Sequence, residues 1–177
     1  MSTMNVSLPE AMESFVDEQV AERGYGTSSE YVRDLIRRDQ QKFELRGLLL
    51  EGGQSQPSAE ANQAYFDGLR DRVRNVASKA GDDVIAYHLE EGAEHAALGF
   101  IDALETAYGH IGRHPGTGST RHAHELDLPG LRLWPLTRYP NLVFYFERPD
   151  SIDVWRVLHS QRDLPAWMQA QDTRSGL

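Results

Sequence analysis

Residues Thr3 to Leu8 alternate in character, with Thr3, Asn5 and Ser7 polar and Met4, Val6 and Leu8 apolar. A period of two is that of a half-buried strand. Pro9 follows, suited to the first position of a helix. Met12, Phe15, Val16 and Val20 then recur at helical spacing. Gly24-Tyr25-Gly26 ends that helix. Thr27-Ser28-Ser29-Glu30 has the form of a capping box and opens a second helix, whose apolar face is Tyr31, Val32, Leu35 and Ile36. Phe43, Leu45, Leu48 and Leu49 form a third apolar stretch. Glu51 to Ser58 is polar and rich in glycine and serine, the composition of a linker. Beyond it, Tyr65, Phe66, Leu69 and Val73 mark a short amphipathic helix. That helix either binds a partner or packs on its own domain.

The pattern changes at Lys79. Ala80, Val84 and Tyr87 mark a helix ending near Gly92, and Ala97, Ile101, Leu104, Tyr108 and Ile111 mark a longer one. A break at Gly92 predicts an antiparallel helical hairpin, which Pro115-Gly116-Thr117-Gly118 terminates. Four strand-like runs follow: Arg121–Leu126, Leu131–Arg138, Leu142–Arg148 and Ile152–His159. Turn signals at Pro129-Gly130, Tyr139-Pro140-Asn141 and Arg148-Pro149-Asp150 divide them. Pro135 directs its run to an edge or a bulge. The expectation is an α+β fold in which a helical hairpin packs on an antiparallel sheet. The expected division is residues 1–50, a linker and helix at 51–75, and a second domain at 76–177.

Charge narrows the functional classes. The net charge of −9 disfavours a broad nucleic-acid-coating surface but allows a small DNA-reading face. The acid is concentrated on the helices, and residues 121–177 carry seven basic and seven acidic side chains. No cysteine is present, which removes thiolate chemistry and disulfides. No apolar run reaches the roughly 20 residues that span a bilayer, and the N-terminus lacks a signal-peptide pattern, so a cytoplasmic location is expected with no membrane partner. His110 and His114 are four apart, and His122 and His124 two apart, yet no third ligand is indicated and no metal is expected. No cofactor is implied.

A strand and two short helices bury too little apolar surface alone. A two-fold dimer with paired strands would solve this. The resulting ribbon fits a major groove, with Thr3, Asn5 and Ser7 toward the bases and Met4, Val6 and Leu8 in the dimer core. The helix start at Thr27, Ser28 and Ser29 offers N–H groups to a phosphate. An ordinary edge strand and capping box explain the same residues.

The runs Met4-Asn5-Val6-Ser7-Leu8-Pro9, Phe15-Val16-Asp17-Glu18-Gln19-Val20 and Gly24-Tyr25-Gly26-Thr27-Ser28-Ser29-Glu30-Tyr31-Val32-Arg33-Asp34-Leu35-Ile36-Arg37 resemble a ParD-type ribbon–helix–helix antitoxin. The likeness spans residues 3–75. It includes Tyr65 to Arg74, similar to the helix with which such antitoxins wrap a toxin. It implies operator DNA as a partner, self-association, autorepression, and a toxin interface at Tyr65, Phe66, Leu69 and Val73.

Residues 79–168 resemble the ParE/RelE toxin superfamily. The likeness is carried by Lys79-Ala80-Gly81-Asp82-Asp83-Val84-Ile85-Ala86-Tyr87, Ala97 to Leu104 and Val154-Trp155-Arg156-Val157-Leu158-His159 through Pro165. Such toxins open with a strand, for which only Val73 to Ala77 is free, so that strand is expected to be short or missing. The ParE likeness implies interference with DNA gyrase by binding, without catalytic residues. The RelE likeness implies cleavage of ribosome-bound mRNA, with Arg132, Arg138, Arg156, His159 and Arg162 as candidates for charge neutralisation and proton transfer. Lys79 is the single lysine of residues 76–177, which favours the gyrase alternative. Strict alternation along the last strand places His159 with Trp155 and Val157, and Arg156 opposite with Val154 and Leu158. A DNA-binding regulator carrying a defunct toxin is the third alternative.

Overall fold

The computed structural model describes residues 5–56, 59–77 and 84–169, without the side chains of residues 76, 77, 84–91 and 169. Thr3, Met4, Lys79 and Ala80 lie outside the described residues. Two compact units divide the chain, residues 1–44 and residues 45–177.

In the first unit, helix α1 spans Glu10–Arg23 and stops at Gly24, whose φ of 72° is left-handed. Glycine adopts that conformation without a Cβ penalty, as a helix-ending residue must. Helix α2, Ser28–Gln54, begins on the expected capping box. The Glu30 N–H donates to Thr27 Oγ1 (3.1 Å), and Glu30 Oε2 accepts from the Gly26 N–H (2.9 Å). Tyr31 is buried, and the Tyr25 hydroxyl donates to Asp34 (2.7 Å). Residues 5–9 form no strand in the single chain. A two-stranded ribbon requires a second copy, because a lone strand has no ladder to complete. Val6, Leu8, Met12, Phe15, Leu35 and Ile36 are all exposed, with Val6 at 63%.

In the second unit, helix α3 spans Gln63–Ala77 and helix α4 spans Val84–Arg113. The expected break at Gly92 does not occur, because α4 runs straight through it. One helical glycine costs only about 1 kcal/mol, which a 30-residue helix absorbs. The antiparallel hairpin is formed by α3 and α4 instead. Phe66 meets Tyr108, while Arg70, one turn on, meets Glu105 and Asp102. Residues 73–77 continue α3 as helix and supply no strand.

Strands β1 (Leu131–Pro135), β2 (Asn141–Glu147) and β3 (Ile152–His159) form an antiparallel meander in that order. The expected strand at Arg121–Leu126 is a series of turns, in which His122 is buried against Glu125 and Trp167. A local hydrogen-bonded turn satisfies this segment's backbone, with Ala123 N–H donating to Thr120 O and Leu126 N–H to His122 O. Pro135 closes β1, an edge strand, where its missing N–H is harmless.

The sheet is apolar on both faces. Val143, Tyr145 and Val157 pack with Ala107 and Ile111 of α4. Leu133, Phe144 and Leu158 pack on the other face with Leu45 and Leu49 from the end of α2, and with Leu164 and Met168 after β3. A short helix, α5 (Ala166–Gln169), completes that layer.

Leu49 is fully buried, whereas its neighbour Leu48 is 42% exposed. Leu49→Ala is expected to cost ~2–5 kcal/mol, as in other fully enclosed leucines. Leu48→Ala is expected to cost under about 1 kcal/mol. Denaturant unfolding followed by tryptophan fluorescence would separate the two, and equal effects would contradict the packing described here.

Candidate functional site

The end of α2 meets the sheet at an irregularity in β3. Phe144 pairs with Arg156 and Tyr145 with Val154, so Trp155 is the extra residue of a β-bulge. A bulge interrupts alternation. Trp155 therefore joins Phe146 on the α2 side of the sheet (ring centroids 4.1 Å apart), which is also the side of Arg156, across from Phe144. The expected sharing of a face by Trp155 and His159 is corrected: Val154, Val157 and His159 lie on the α4 side.

Arg156 grips the last turns of α2. Its Nε donates to the Leu48 carbonyl (3.1 Å) and its Nη2 to Glu51 Oε2 (2.8 Å). Leu48 lies six residues before the end of α2, and the C-terminal part of a helix carries the negative end of its dipole, so a guanidinium suits this place. Gly52 and Gly53 follow as helix, although composition marked them as linker. A Cβ on Gly52 would collide with the Trp155 carbonyl, and one on Gly53 would overlap the Trp155 ring. Arg46 adds an ion pair to Asp127 at 3.6 Å.

Helix α3 covers the flank of α4. Of the four residues expected to form an interface, Phe66 is buried against Tyr108 (5.9 Å, edge-to-face), and Tyr65, Leu69 and Val73 are half-buried. Burial, with the neighbouring Tyr65, pushes the Tyr108 hydroxyl up to about 12. Arg70 of α3 donates to Asp102 (2.7 Å) and to Glu105, and both carboxylates hold its guanidinium charged. The acid on α4 is thus partly engaged rather than solvated.

The five residues considered for RNA cleavage do not converge. Arg132 sits opposite Tyr145, on the α4 face, and donates to the Gly116 and Gly118 carbonyls (2.9 and 3.0 Å). Arg156 is on the other face, held by α2. His159 Nδ1 accepts from the Gln161 and Arg162 N–H groups (both 3.2 Å), making it the cap of a turn. Arg162 pairs with Asp163 (2.9 Å). Arg138 stands at the tip of the β1–β2 hairpin with a left-handed φ of 68°. Of the residues expected to face DNA, Asn5 and Ser7 are exposed, and Thr27, Ser28 and Ser29 form the exposed start of α2; Ser28 Oγ donates to Asp17 (3.3 Å). His110 and His114 stand side by side (5.3 Å), with His110 stacked on Trp134.

The sequence reading overlooked Leu45, Leu49, Gly52 and Gly53 as contact residues. Their only signal was that the apolar stretch Phe43 to Leu49 continues the helix before it.

A family model described as the ParE toxin of the type II toxin-antitoxin system, parDE, matches residues 72–164, more than half of the chain. The chain therefore belongs to the ParE toxin family. The chain is also 52% identical over 56 residues to antitoxin ParD4 of Caulobacter vibrioides (strain ATCC 19089 / CIP 103742 / CB 15). That match takes in 29% of this chain and spans 58% of the relative's length, less than two thirds. No solved structure matches. One polypeptide joins a ParD-like antitoxin segment to a ParE toxin. Among the described residues no helix is long and apolar enough to cross a membrane.

Asp163 supplies a pH test of the turn that closes β3. The Arg162 guanidinium, then the His159 N–H, hold its carboxyl below the usual range. A depressed folded pKa contributes stability that is complete above the unfolded value of about 4 and is lost as pH falls through the lowered value. Asp163→Asn is therefore expected to lower Tm at neutral pH and to flatten its fall on the acid side. Parallel acid profiles for the two proteins would contradict this assignment.

Proposed function

We propose that the front of this chain is a DNA-binding, autorepressing antitoxin that holds its own ParE toxin inactive, and that the toxin's target is DNA gyrase. The observation that carries the reading is the double coverage of the toxin portion by antitoxin helices. The end of α2 lies on one sheet face through Leu45, Leu49 and Glu51, and α3 lies on α4 through Phe66 and Arg70. Covalent joining replaces bulk concentration by a local one, of order millimolar for short flexible connections. Neutralisation within one chain follows, without dissociation into a free toxin.

Two features support the DNA-binding part. The apolar side chains Val6, Leu8, Met12, Phe15, Leu35 and Ile36 are exposed in the single chain, and a second copy would bury them while pairing the two strands into a ribbon. Thr3, Asn5 and Ser7 would then read operator bases. Thr27, Ser28 and Ser29 would meet a phosphate, with Arg33 and Arg37 beside that turn to add positive charge. For the toxin, gyrase binding is favoured over RNA cleavage because Arg132 and Arg156 lie on opposite sheet faces.

Expression of residues 72–177 alone is expected to arrest growth, and co-expression of residues 1–71 to relieve the arrest, while the whole chain leaves growth unchanged. The purified fragment is expected to inhibit gyrase supercoiling without degrading ribosome-bound mRNA. Inhibition of neither process would overturn the gyrase reading. Separately, the whole chain is expected to sediment as a dimer and to shift its own promoter DNA. Asn5→Ala and Ser7→Ala should weaken that shift with the dimer intact, and an unaltered shift in both would remove the ribbon from DNA recognition.

A further inference from the structure

We propose that Glu51-Gly52-Gly53 and the bulged pair Trp155–Arg156 form the specificity seat of toxin–antitoxin pairing. The toxin surface selects a helix that ends in two adjacent glycines preceded by a carboxylate, and residues 45–54 of this chain are its occupant. The inference rests on the reading that the front segment neutralises the back one.

Two surfaces of different kinds meet where α2 touches the sheet. The leucines Leu45 and Leu49 enter a cluster of leucine, phenylalanine and methionine side chains. Such a cluster accepts many amphipathic helices, since apolar contact is non-directional and similar side chains substitute for one another. The next turn is different. Because the bulge leaves Trp155 unpaired across the ladder, Trp155 and Arg156 face α2 together, which strict alternation forbids. The indole lies where a side chain on Gly53 would be, and the β3 backbone lies where one on Gly52 would be. A Cβ on Gly52 would also stand 3.0 Å from Arg156 Cγ and Nε. Any other residue at either position displaces the helix, the strand or the indole.

The polar half of the seat is equally directional. Arg156 binds the last two turns of the helix by the Leu48 carbonyl, which lies inside the helix, and by the Glu51 carboxylate, so it reads both the height at which the helix lies on β3 and the charge one turn on. Trp155 is held by its own Nε1–H donating to Asp153 (3.1 Å), which also pairs with Arg148. That bond holds the ring from within its own strand, independently of α2. Two consecutive glycines are poor helix formers. That α2 nevertheless runs to Gln54 is consistent with the toxin surface ordering its last turn.

Gly47 makes the test decisive, because a Cβ there meets nothing within 4 Å. Helix propensity predicts that Gly47→Ala, Gly52→Ala and Gly53→Ala all stabilise the full-length chain. The seat predicts opposite signs. Gly47→Ala should raise Tm, whereas Gly52→Ala and Gly53→Ala should lower it and speed amide exchange across residues 45–54 and 152–159 several-fold. Trp155→Ala, which opens a hole, should restore stability when combined with Gly53→Ala, so poor folding of the single variant still leaves a readout. Glu51→Arg and Arg156→Glu should each loosen the seat and should partly rescue one another. A rise in Tm for all three alanine variants, or no rescue by Trp155→Ala, overturns the proposal. Growth distinguishes the two levels. Seat variants that exchange faster and arrest cells tie the seat to neutralisation, while faster exchange with normal growth keeps the seat and rejects the toxin reading.

Discussion

A three-stranded sheet that is apolar on both faces needs a cover on each, and everything else in the second unit follows from how the two covers are supplied. Helix α4 provides one, through Ala107 and Ile111. The other comes from Leu45 and Leu49, which precede the ParE-matching residues 72–164. Full burial of a leucine contributes about 1.5–3 kcal/mol, and Leu45 and Leu49 are 2% and 0% exposed. The toxin's sheet is thus completed by a helix from the antitoxin side of the chain. The joining of the two segments and the burial of the sheet share the same contact.

Around that contact the finer geometry is set by one extra residue. The bulge at Trp155 rotates the strand so that an aromatic ring and a guanidinium emerge side by side. The ring fills the space left by Gly53, and the guanidinium takes the Leu48 carbonyl and the Glu51 carboxylate in the last two turns of the helix. An exposed ion pair such as Arg156–Glu51 contributes little stability by itself. Its value lies in direction, since it is satisfied only when Glu51 and the turn before it lie at the right height on β3. Apolar burial supplies the strength of the pairing, and the bulge supplies its register.

The contact of α3 with α4 is made differently. Among the described side chains of α3, Phe66 is the one that is buried, and Arg70 between Asp102 and Glu105 fixes the antiparallel alignment. The ParE-matching residues begin at 72, inside α3, so the last turns of this helix belong to the matched family region while its first turns precede it. Residues 73–77 therefore extend a helix and add no strand to the sheet.

Much was legible in the sequence, because local rules govern it. The capping box at Thr27, the stop at Gly24, the last three strands and the amphipathic face of α3 follow from short-range periodicity and from residue types with fixed backbone preferences. The α+β class was readable on the same grounds, and the two joined segments from the resemblance to known families. Longer-range competition decided the rest. Gly92 sits inside a helix because neighbouring turns outweigh one poor helix former. Arg121–Leu126 turns because its backbone bonds locally and its alternation reflects a buried histidine rather than a ladder. Gly52 and Gly53 looked like linker because composition does not report what lies across from a backbone. The sequence alone determined most of the elements and which faces are apolar. Only the tertiary structure decided which apolar face meets which, and that a bulge turns Trp155 toward α2, since both depend on partners about a hundred residues away in the chain.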